Sequence, residues 1–338
     1  MNIVGDGHIK LYGPEDEVPH LIGASEWWNE SVWLHFLDAR SGVNGIMRIG
    51  HEPNWQGGST AIWTLVQTPN WLYKKDGLYP LRDGDRPANG FKSHGTHSFT
   101  FDGKDCCWTV NDGDFEAKLR IEDYHAPLSF WPKGSEMESI APNHTEGPGK
   151  VSGTIVIKGE EFKLTDALGY RDHSWGDRFW NDLRAHRWVG TNFGPDFNCN
   201  AIIWLNHHND LGRYGYVRRG DTIYVASEVD IITHMEPDGI THRGGVCRYL
   251  LPTGEKIEIH CTPAHKALIS RHHTLALNDT ICVAKYGDGV DQRVGATCFE
   301  SNNNLQAGAM VPLQKGVVRG VVDNGIWPVT LVPSSFSL

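Results

Sequence analysis

The chain has 338 residues, of which 39% are hydrophobic and 21% charged, and its formal net charge is −10. This composition is typical of folded globular proteins, and the acidic balance argues against a nucleic-acid partner, because phosphate binding needs clustered Lys and Arg. No window approaches the roughly 18 uninterrupted apolar residues of a membrane span, so we expect no transmembrane segment. The length exceeds one ordinary core and predicts about two domains.

The first twenty residues, MNIVGDGHIKLYGPEDEVPH, lack a basic stretch followed by an apolar one, so we expect no secretory signal. The seven cysteines are an odd number and are scattered along the chain. Cys106 and Cys107 are adjacent, which is not a zinc-ligand spacing. We therefore predict a cytoplasmic protein with reduced, mostly buried thiols.

Strand-like segments dominate the chain from residue 31 onward. The first, SVWLHFLDARSGVNGIMRIG (31–50), predicts two strands around a Ser-Gly turn, with apolar residues in rough alternation. The same format recurs in the segments 60–68, 97–110, 115–124, 150–170, 200–231, 244–263 and 273–288. Dipeptides such as Asp-Gly and Lys-Gly separate these runs, as hairpin turns do. About a dozen and a half strands with short turns indicate β-barrels or sandwiches and not a parallel α/β sheet.

Two segments interrupt this pattern. Residues 131–150 are the richest in Pro, Gly and charge, which is typical of a linker or of a long loop within the first domain. Residues 176–188, GDRFWNDLRAHRW, are compatible with a brief helix, since Phe179, Leu183 and His186 fall near one face. We place the domain boundary near residue 180, which predicts domains 1–180 and 181–338.

The segment GYRDHSWGDR (169–178) places an Asp, a His, a Trp and two Arg among glycines, directly after a strand-like run. If the segment is extended, Arg171, His173 and Trp175 share one face and Asp172 lies on the other. His173 and Asp172 would then pair only if the chain bulges, which the flanking glycines permit.

Two interpretations of this segment stay open. In the structural one, Arg171 and Arg178 form buried ion pairs at a corner of the barrel, together with an Asp and an indole. In the functional one, His173 places a titratable imidazole beside the π-face of Trp175, a combination suited to forming and stabilising a carbocation. Arg171 is also a candidate for substrate binding.

The same segment closely resembles the signature of the carotenoid 1,2-hydratase and AttH-like superfamily, through its Gly-x-x-Asp-His-x-Trp-Gly element. The resemblance implies two lipocalin-like β-barrels in tandem. The superfamily includes phytoalexin hydratases and lipocalin-like Diels–Alderases of fungal polyketide pathways. His173 and Trp175 correspond to a His and a Trp that are catalytically important in the hydratases.

The hydratases also use a Tyr-x-Asp element on a later strand, and the equivalent positions here are Trp204 and Asn206. The carboxylate of the superfamily is therefore missing at that site. A different acid would have to serve, such as Asp172, Asp230 or Glu228, or else His173 would act alone.

Other residues are candidates for a substrate site. His51 and Glu52 fall in a loop that we expect after a strand, either as part of a turn cap or as an acid–base pair at a pocket mouth. Aromatic side chains with strand-like spacing are candidates either for a cavity lining or for an ordinary barrel core; they are Trp180, Trp188, Trp204, Tyr214 and Tyr216.

Motifs for metals and common cofactors are missing from the sequence. It contains no H-E-x-x-H or C-x-x-C, and the adjacent pairs His207–His208 and His272–His273 cannot chelate one ion from a regular strand. It also lacks a dinucleotide-binding glycine fingerprint, a P-loop and a G-x-S-x-G elbow. We therefore expect neither a metal nor a cofactor.

These observations predict a cofactor-free hydratase, dehydratase or double-bond isomerase that acts on a hydrophobic, isoprenoid-like small molecule. His173 would protonate an alkene and Trp175 would stabilise the resulting cation. Two alternatives are a cyclase of a polyene and a carrier that binds an apolar ligand without chemistry. The sequence leaves the oligomeric state open.

Overall fold

The computed structural model of the chain describes residues 1–236, 241–264, 266–304, 317–318, 327–331 and 336. These residues form β-strands almost throughout, with short 3-10 turns at Pro14–Glu17, Trp55–Gly57, Glu136–Ser139 and Gly289–Asp291. In chain order the strands are β1 (Asn2–Val4), β2 (Lys10–Leu11), β3 (Trp28–Asp38), β4 (Val43–Glu52), β5 (Ser59–Gln67), β6 (Leu72–Pro80), β7 (Gly90–Ser93), β8 (His97–Phe101), β9 (Cys106–Asp112), β10 (Phe115–Asp123), β11 (Leu128–Ser129), β12 (Asn143–Ile157), β13 (Glu160–Asp177), β14 (Leu183–Asn192), β15 (Phe197–Asn206), β16 (Leu211–Arg219), β17 (Thr222–Val225), β18 (Glu228–Met235), β19 (His242–Leu250), β20 (Lys256–Pro263), β21 (Leu268–His272), β22 (Leu275–Tyr286), β23 (Arg293–Asn304), β24 (Val317–Val318) and β25 (Trp327–Thr330). Across the described part of the chain, no helix has the length and apolar character needed to cross a membrane.

The chain divides into two compact units, each built around one sheet. The first barrel unit comprises Lys10–Ser129 and Ser139–Arg178. The second barrel unit comprises Met1–Ile9, Phe130–Glu138 and Phe179–Leu338, so two earlier segments of the chain group with it.

The sheet of the first barrel unit is antiparallel and has the strand order β6-β5-β4-β3-β13-β12-β10-β9-β8-β7. It curls until its two ends meet. Thr60 Oγ1 on β5 donates a hydrogen bond of 2.9 Å to Ser93 Oγ on β7. His51 Nε2 on β4 lies 2.9 Å from the carbonyl oxygen of Lys92, which also belongs to β7. These side-chain contacts join strands that the backbone ladder leaves apart.

The sheet of the second barrel unit has the order β1-β17-β16-β15-β14-β23-β22-β20-β19-β18-β25-β24. Its pairs are antiparallel except for β1 with β17. This sheet also curls, because β15 and β16 contact β18 across the unit, and Arg213 Nη1 on β16 donates to the carbonyl of Val229 on β18 at 3.3 Å. Two curled sheets of this kind confirm the predicted class, an all-β protein with two lipocalin-like barrels.

Alternation along the strands fills the interior of each unit with apolar side chains. On β3 the interior residues are Val32, Leu34 and Phe36, and on β14 they include Ala185 and Val189. The sheets are therefore closed around packed cores, and polar side chains on the interior face are exceptions that need an explanation.

One local prediction is wrong and a second holds only in part. Residues 176–188 form no helix: a turn closes where Asp182 N donates to the carbonyl of Phe179 at 2.7 Å, and β14 follows from Leu183. Pairing with β15 and β23 satisfies the backbone of this segment and buries it, which outweighs its weak helical periodicity. Residues 131–150 are only partly a loop, because β12 already begins at Asn143.

The prediction of mostly buried thiols is confirmed, because six of the seven cysteines are buried, and all seven are free in the structure. Cys107 is half-buried, and burial raises its thiol pKa. We expect iodoacetamide to modify Cys107 slowly in the native protein and all seven thiols after denaturation, because the thiolate is the nucleophile. Peptide mass spectrometry would measure this. Rapid native labelling of a second cysteine would contradict the packing described here.

A buried histidine makes the stability of the first barrel unit sensitive to acid. His35 is fully buried between Trp33 and Tyr170, and neither of its ring nitrogens has a hydrogen-bond partner among the described residues. Burial lowers its pKa from 6.5 to about 3, so the folded protein keeps the ring neutral while the unfolded chain protonates it. Its contribution to stability is complete above pH 6.5 and is lost as the pH falls toward 3.

The substitution His35→Phe should remove that loss. We expect the free energy of unfolding of the variant, relative to the native chain, to rise by about 1.4 kcal/mol per pH unit below 6.5. Urea denaturation at pH 7.5, 6.5, 5.5 and 4.5 would measure the difference. Parallel pH profiles for the two proteins would show that His35 does not titrate on unfolding.

Candidate functional site

The motif 169–178 lies almost wholly in β13, between β12 and β3. Pairing with β12 is regular from Asn143 to Val151, and the register shifts only beyond that, before Gly153. The motif itself therefore contains no bulge. The predicted alternation is confirmed, and His173 and Asp172 face opposite sides of the sheet.

A buried glutamate pairs with the motif histidine on the interior side of the barrel. Glu30 on β3 lies directly opposite Trp175, and His173 lies opposite Val32. Opposite residues of antiparallel strands share a face, so Glu30 and His173 both point inward. His173 Nε2 lies 3.1 Å from Glu30 Oε1, and both side chains have no exposed surface. We call this pair the Glu30–His173 dyad.

Two further side chains hold the carboxylate of Glu30. His20, in the segment before β3, donates through its backbone N–H at 3.0 Å and approaches with Nδ1 at 2.7 Å, both to Glu30 Oε1. Arg86 Nη2 donates to Glu30 Oε2 over 2.5 Å. Glu30 therefore has a charged or polar neighbour for each of its oxygens, which is what a buried carboxylate requires.

These contacts determine the protonation state of Glu30. Burial alone would raise its pKa, but hydrogen bonds from His173 and His20, followed by the charge of Arg86, hold the pKa well below its ordinary value of 4.5. An ionised carboxylate accepts hydrogen bonds only, so His173 presents Nε2–H to it. The other ring nitrogen, Nδ1, is buried and has no hydrogen-bond partner within the described residues.

The indole of Trp175 is half-buried and already has a stacking partner. The ring of His20 lies against it with a centroid distance of 3.9 Å and an interplanar angle of 9°. The ring of His173 lies 5.1 Å away at a tilt of 50°. His20 thus covers one face of Trp175, and Tyr12 contacts the indole in a T-shaped arrangement with a centroid distance of 5.8 Å.

Arg171 forms the buried ion pair that the structural interpretation of the motif expected. Its guanidinium donates to both carboxylate oxygens of Glu17, at 2.7 and 2.8 Å, and to both of Asp123. Burial by itself would raise the pKa of Glu17, but the charge and hydrogen bonds of Arg171 keep that pKa below its ordinary value. All these hydrogen bonds of the guanidinium go to protein carboxylates. The contacts of Arg171 therefore do not support its predicted role in substrate binding.

Asp172 lies on the other face of β13, away from the dyad. Burial raises its pKa, and the charges of His144 and Arg178 lower it less. On the same face Tyr170 donates to Glu146 at 2.7 Å, and Arg178 donates to Ser174. Asp172 cannot share a proton directly with His173 in this arrangement.

His51 and Glu52 do not lie in a loop, and that prediction is wrong. They are the last two residues of β4 and are almost fully buried. His51 contacts the backbone of Lys92, and burial lowers its pKa to about 4. Glu52 accepts from Ser59 Oγ at 3.0 Å. As neighbours on a strand the two side chains point to opposite faces, so they cannot act as an acid–base pair.

The remaining predicted binding residues belong to the second barrel unit, whereas the dyad belongs to the first. Asn206 at the end of β15 uses both its amide groups on Asp210, each at 2.8 Å, and so closes a turn. Tyr214 donates to Glu136 at 3.2 Å, and burial together with this carboxylate raises the pKa of the phenol to about 12. The other members of the set are buried, namely Trp180, Trp188, Trp204 and Tyr216.

A cavity of about 440 Å³ lies in the second barrel unit, lined in part by Asp6, His8, Arg213 and Tyr214. It contains neither member of the dyad. Of its titratable groups, Asp6 and His8 are exposed and Tyr214 is half-buried, whereas both members of the dyad are fully buried and hydrogen-bonded to each other. Buried groups that are already held by hydrogen bonds transfer protons more efficiently than exposed ones. The Glu30–His173 dyad is therefore a stronger candidate for proton transfer than the groups of this cavity.

The residue types around Glu30 could also hold a metal ion. One ligand atom each of His20, Glu30 and His173 lies within 4.8 Å of the others. In this structure the distances of 2.7 and 3.1 Å to Glu30 Oε1 are those of N–H···O hydrogen bonds, and Arg86 already supplies positive charge to the carboxylate. The expected absence of a metal stays a prediction, which elemental analysis of the purified protein would test.

Sequence reasoning missed Glu30, His20 and Arg86. A signal for Glu30 was present: it occupies the same alternating positions as Val32, Leu34 and Phe36, so an acidic residue was placed on an apolar face. No such signal exists for His20 or Arg86, which lie in irregular segments far from β13 in sequence.

Solved structures with the same fold support the class of the protein. An AttH-like protein from Nitrosomonas europaea matches with a TM-score of 0.64 at 14% identity, over 87% of this chain and 96% of the other. Kievitone hydratase from Nectria haematococca matches with 0.60 at 9% identity, over 87% and 93%. CghA bound to Sch210972 matches with 0.58 at 11% identity, over 86% and 95%. These likenesses confirm the fold that the resemblance to the carotenoid 1,2-hydratase and AttH-like superfamily implied.

Residues 13–305 match the family described as "Domain of unknown function (DUF7064)", and the chain belongs to that family. A comparison with curated protein sequences finds no match.

Proposed function

We propose that this protein is a cofactor-free enzyme that moves a proton onto or off a carbon atom of an apolar, unsaturated small molecule. Hydration, dehydration and double-bond isomerisation share this step. The proposal rests mainly on the Glu30–His173 dyad, whose imidazole is held at Nε2 and whose Nδ1 has no hydrogen-bond partner among the described residues. The shared fold with kievitone hydratase supports it.

The surroundings of His173 suit an apolar substrate. Phe91 contacts the imidazole edge-to-face with a centroid distance of 5.5 Å, and Val32 lies directly opposite His173 on β3. Among the described residues the ring forms its hydrogen bond at Nε2, with Glu30, and Nδ1 forms none. An alkene placed near Nδ1 would meet one proton donor in apolar surroundings, where competing proton transfer to water is limited.

The reaction follows from these positions. Cationic His173 transfers the Nδ1 proton to an alkene carbon, and the two π electrons form the new C–H bond. Glu30 stays ionised and stabilises the imidazolium before the transfer. The carbocation lies against the indole of Trp175 on the side away from His20, and the π electrons of the indole stabilise it. A water molecule attacks the cation and returns a proton to Nδ1, so the alkene and water yield an alcohol and the catalyst is unchanged.

Deuterium exchange would test this function. The native chain and His173→Gln are incubated in D₂O with a panel of terpenoid alkenes and the matching tertiary alcohols, and mass spectrometry follows deuterium at carbon. Exchange by the native chain that is lost in the variant supports carbon protonation through His173. A substrate that is bound and cyclised without exchange would instead favour the cyclase, and bound ligands without turnover or exchange would favour the carrier.

The substitution Glu30→Gln should remove the negative charge that faces His173 while leaving a side chain of similar size in its place. We expect the exchange rate to fall about 10- to 100-fold, the rate equivalent of one charged hydrogen bond of roughly 1.5–3 kcal/mol. Because the folded pKa of Glu30 is depressed, its stabilising effect is present above pH 4.5 and is lost as the pH falls below that value. Exchange kinetics and urea denaturation at pH 7 and pH 4 would measure both effects, and an unchanged exchange rate would remove Glu30 from the mechanism.

A further inference from the structure

Arg187, a buried cation of the second barrel unit, has no acidic partner among the described residues. Arg187 on β14 alternates with Ala185 and Val189, which belong to the core of that unit, so its side chain faces the interior. Its side chain is among the largest that are fully buried in the protein. No carboxylate among the described residues forms an ion pair with it. Burying a guanidinium without a counter-ion is energetically unfavourable.

The known contacts of Arg187 leave part of its hydrogen-bonding capacity unused. Nη1 donates to the carbonyl oxygens of His186 and Asn302, at 2.7 and 3.0 Å, and Nη2 donates to Asn303 Oδ1 at 3.3 Å. A guanidinium has five N–H groups, so Nε–H and one hydrogen on Nη2 have no acceptor in the described part of the chain. Such a pair of donors suits a carboxylate or a small anion.

A hydroxyl group beside Arg187 also has unused hydrogen-bonding capacity. Ser301 lies directly opposite Arg187 in the pairing of β14 with β23, so the two side chains share the interior face. Ser301 Oγ is buried and has no hydrogen-bond partner among the described residues. This second observation is independent of the charge of Arg187, and it adds a neutral donor at the same place.

The carboxyl groups of the unit do not supply the missing charge. Its two buried ones among the described residues are Asp230 and Asp279. Asp230 lies between the core residues Val229 and Ile231, and Asp279 pairs with Glu300, the neighbour of the core residue Phe299. Because side chains alternate along a strand and paired residues share a face, both carboxyl groups face away from the interior. His242, which the charge of Arg187 reaches, is a cation or neutral and cannot compensate it.

We propose that Arg187 and Ser301 form a binding site for a monovalent anionic group inside the second barrel unit. The ligand is either a halide ion or the carboxylate of an apolar molecule, because both present a single negative charge to two N–H donors and one hydroxyl. The site is separate from the dyad and does not depend on the proposed reaction.

Two probes distinguish the sources of the charge. Bromide is soaked into crystals of the full chain and located by anomalous scattering, and its affinity is measured from the unfolding temperature at constant ionic strength with methanesulfonate as the replacement anion. Dodecanoate labelled with ¹³C at its carboxyl group is titrated by NMR. We expect one of the two to bind saturably to the native chain, with bromide in hydrogen-bond contact with Arg187 if the ligand is a halide.

Two variants make the test decisive. Arg187→Met should bind neither probe, and Ser301→Ala should bind about ten-fold more weakly, the effect of losing one hydrogen bond to a charged group. If Arg187→Met does not fold, Ser301→Ala alone decides. Saturable binding to neither probe, equal affinity in Arg187→Met, or unchanged affinity in Ser301→Ala would overturn the proposal, and Arg187 would then serve only to bind backbone carbonyls.

Discussion

Replacing His173 with glutamine is expected to lower deuterium exchange at substrate carbon by about 10²- to 10⁴-fold, the usual contribution of a general acid or base. Glutamine can place its amide nitrogen near the position of His173 Nε2 and so keep the hydrogen bond to Glu30, which is 3.1 Å long in the native chain. It has no titratable group at the position of Nδ1. The variant should therefore fold and bind substrate but transfer no proton.

The control for this substitution is His35→Phe. His35 is also a buried histidine of the first barrel unit, but it lies on the opposite face of β3 from Glu30 and has no hydrogen bond to the dyad. We expect the exchange rate of the His35→Phe variant at pH 7 to stay within about two-fold of the native rate. Circular dichroism and urea denaturation would verify that both variants fold. A native exchange rate in folded His173→Gln would exclude His173 as the proton donor.

Replacing Arg171 with methionine is expected to destabilise the protein by about 3–5 kcal/mol, the cost of breaking a buried ion pair. Arg171 and Glu17 are each only 3% exposed, and the guanidinium is the shared partner of Glu17 and Asp123. Methionine has a similar length but no charge, so two neighbouring carboxylates would lose their cation. Repulsion between them adds to the cost of burying them.

A surface ion pair of the same unit provides the matched control. Lys150 lies 3.5 Å from Glu122, and both side chains are more than a third exposed. Lys150→Met should change the free energy of unfolding by less than about 1 kcal/mol, since exposed pairs contribute little. Urea denaturation at pH 7 would compare the two variants. Equal and small losses would show that solvent reaches the Arg171 cluster.

The same experiment separates the two interpretations of the motif. If Arg171→Met loses stability but the folded fraction keeps its exchange rate, Arg171 supports the barrel only. His173→Gln should show the reverse, with stability retained and exchange lost. The motif would then combine a structural ion pair and a proton-transfer group on one face of β13, two residues apart.

The sequence by itself determined the strands, the class of fold and the sidedness of the motif, because these depend on local periodicity. Alternating apolar residues predicted paired strands such as β3 and β4, and the spacing of Arg171, His173 and Trp175 predicted their common face. Such patterns are properties of consecutive residues and need no knowledge of how strands pair.

Only the tertiary structure decided which groups the motif meets. Glu30 is 143 residues from His173 in sequence, and β3 and β13 become neighbours only when the sheet forms. Glu17, in the 3-10 turn Pro14–Glu17, also meets Arg171 only in the folded chain, and β4 buries His51 and Glu52. Hydrogen bonds between distant strands depend on register and curvature of the sheet, and local sequence carries too little information to specify either.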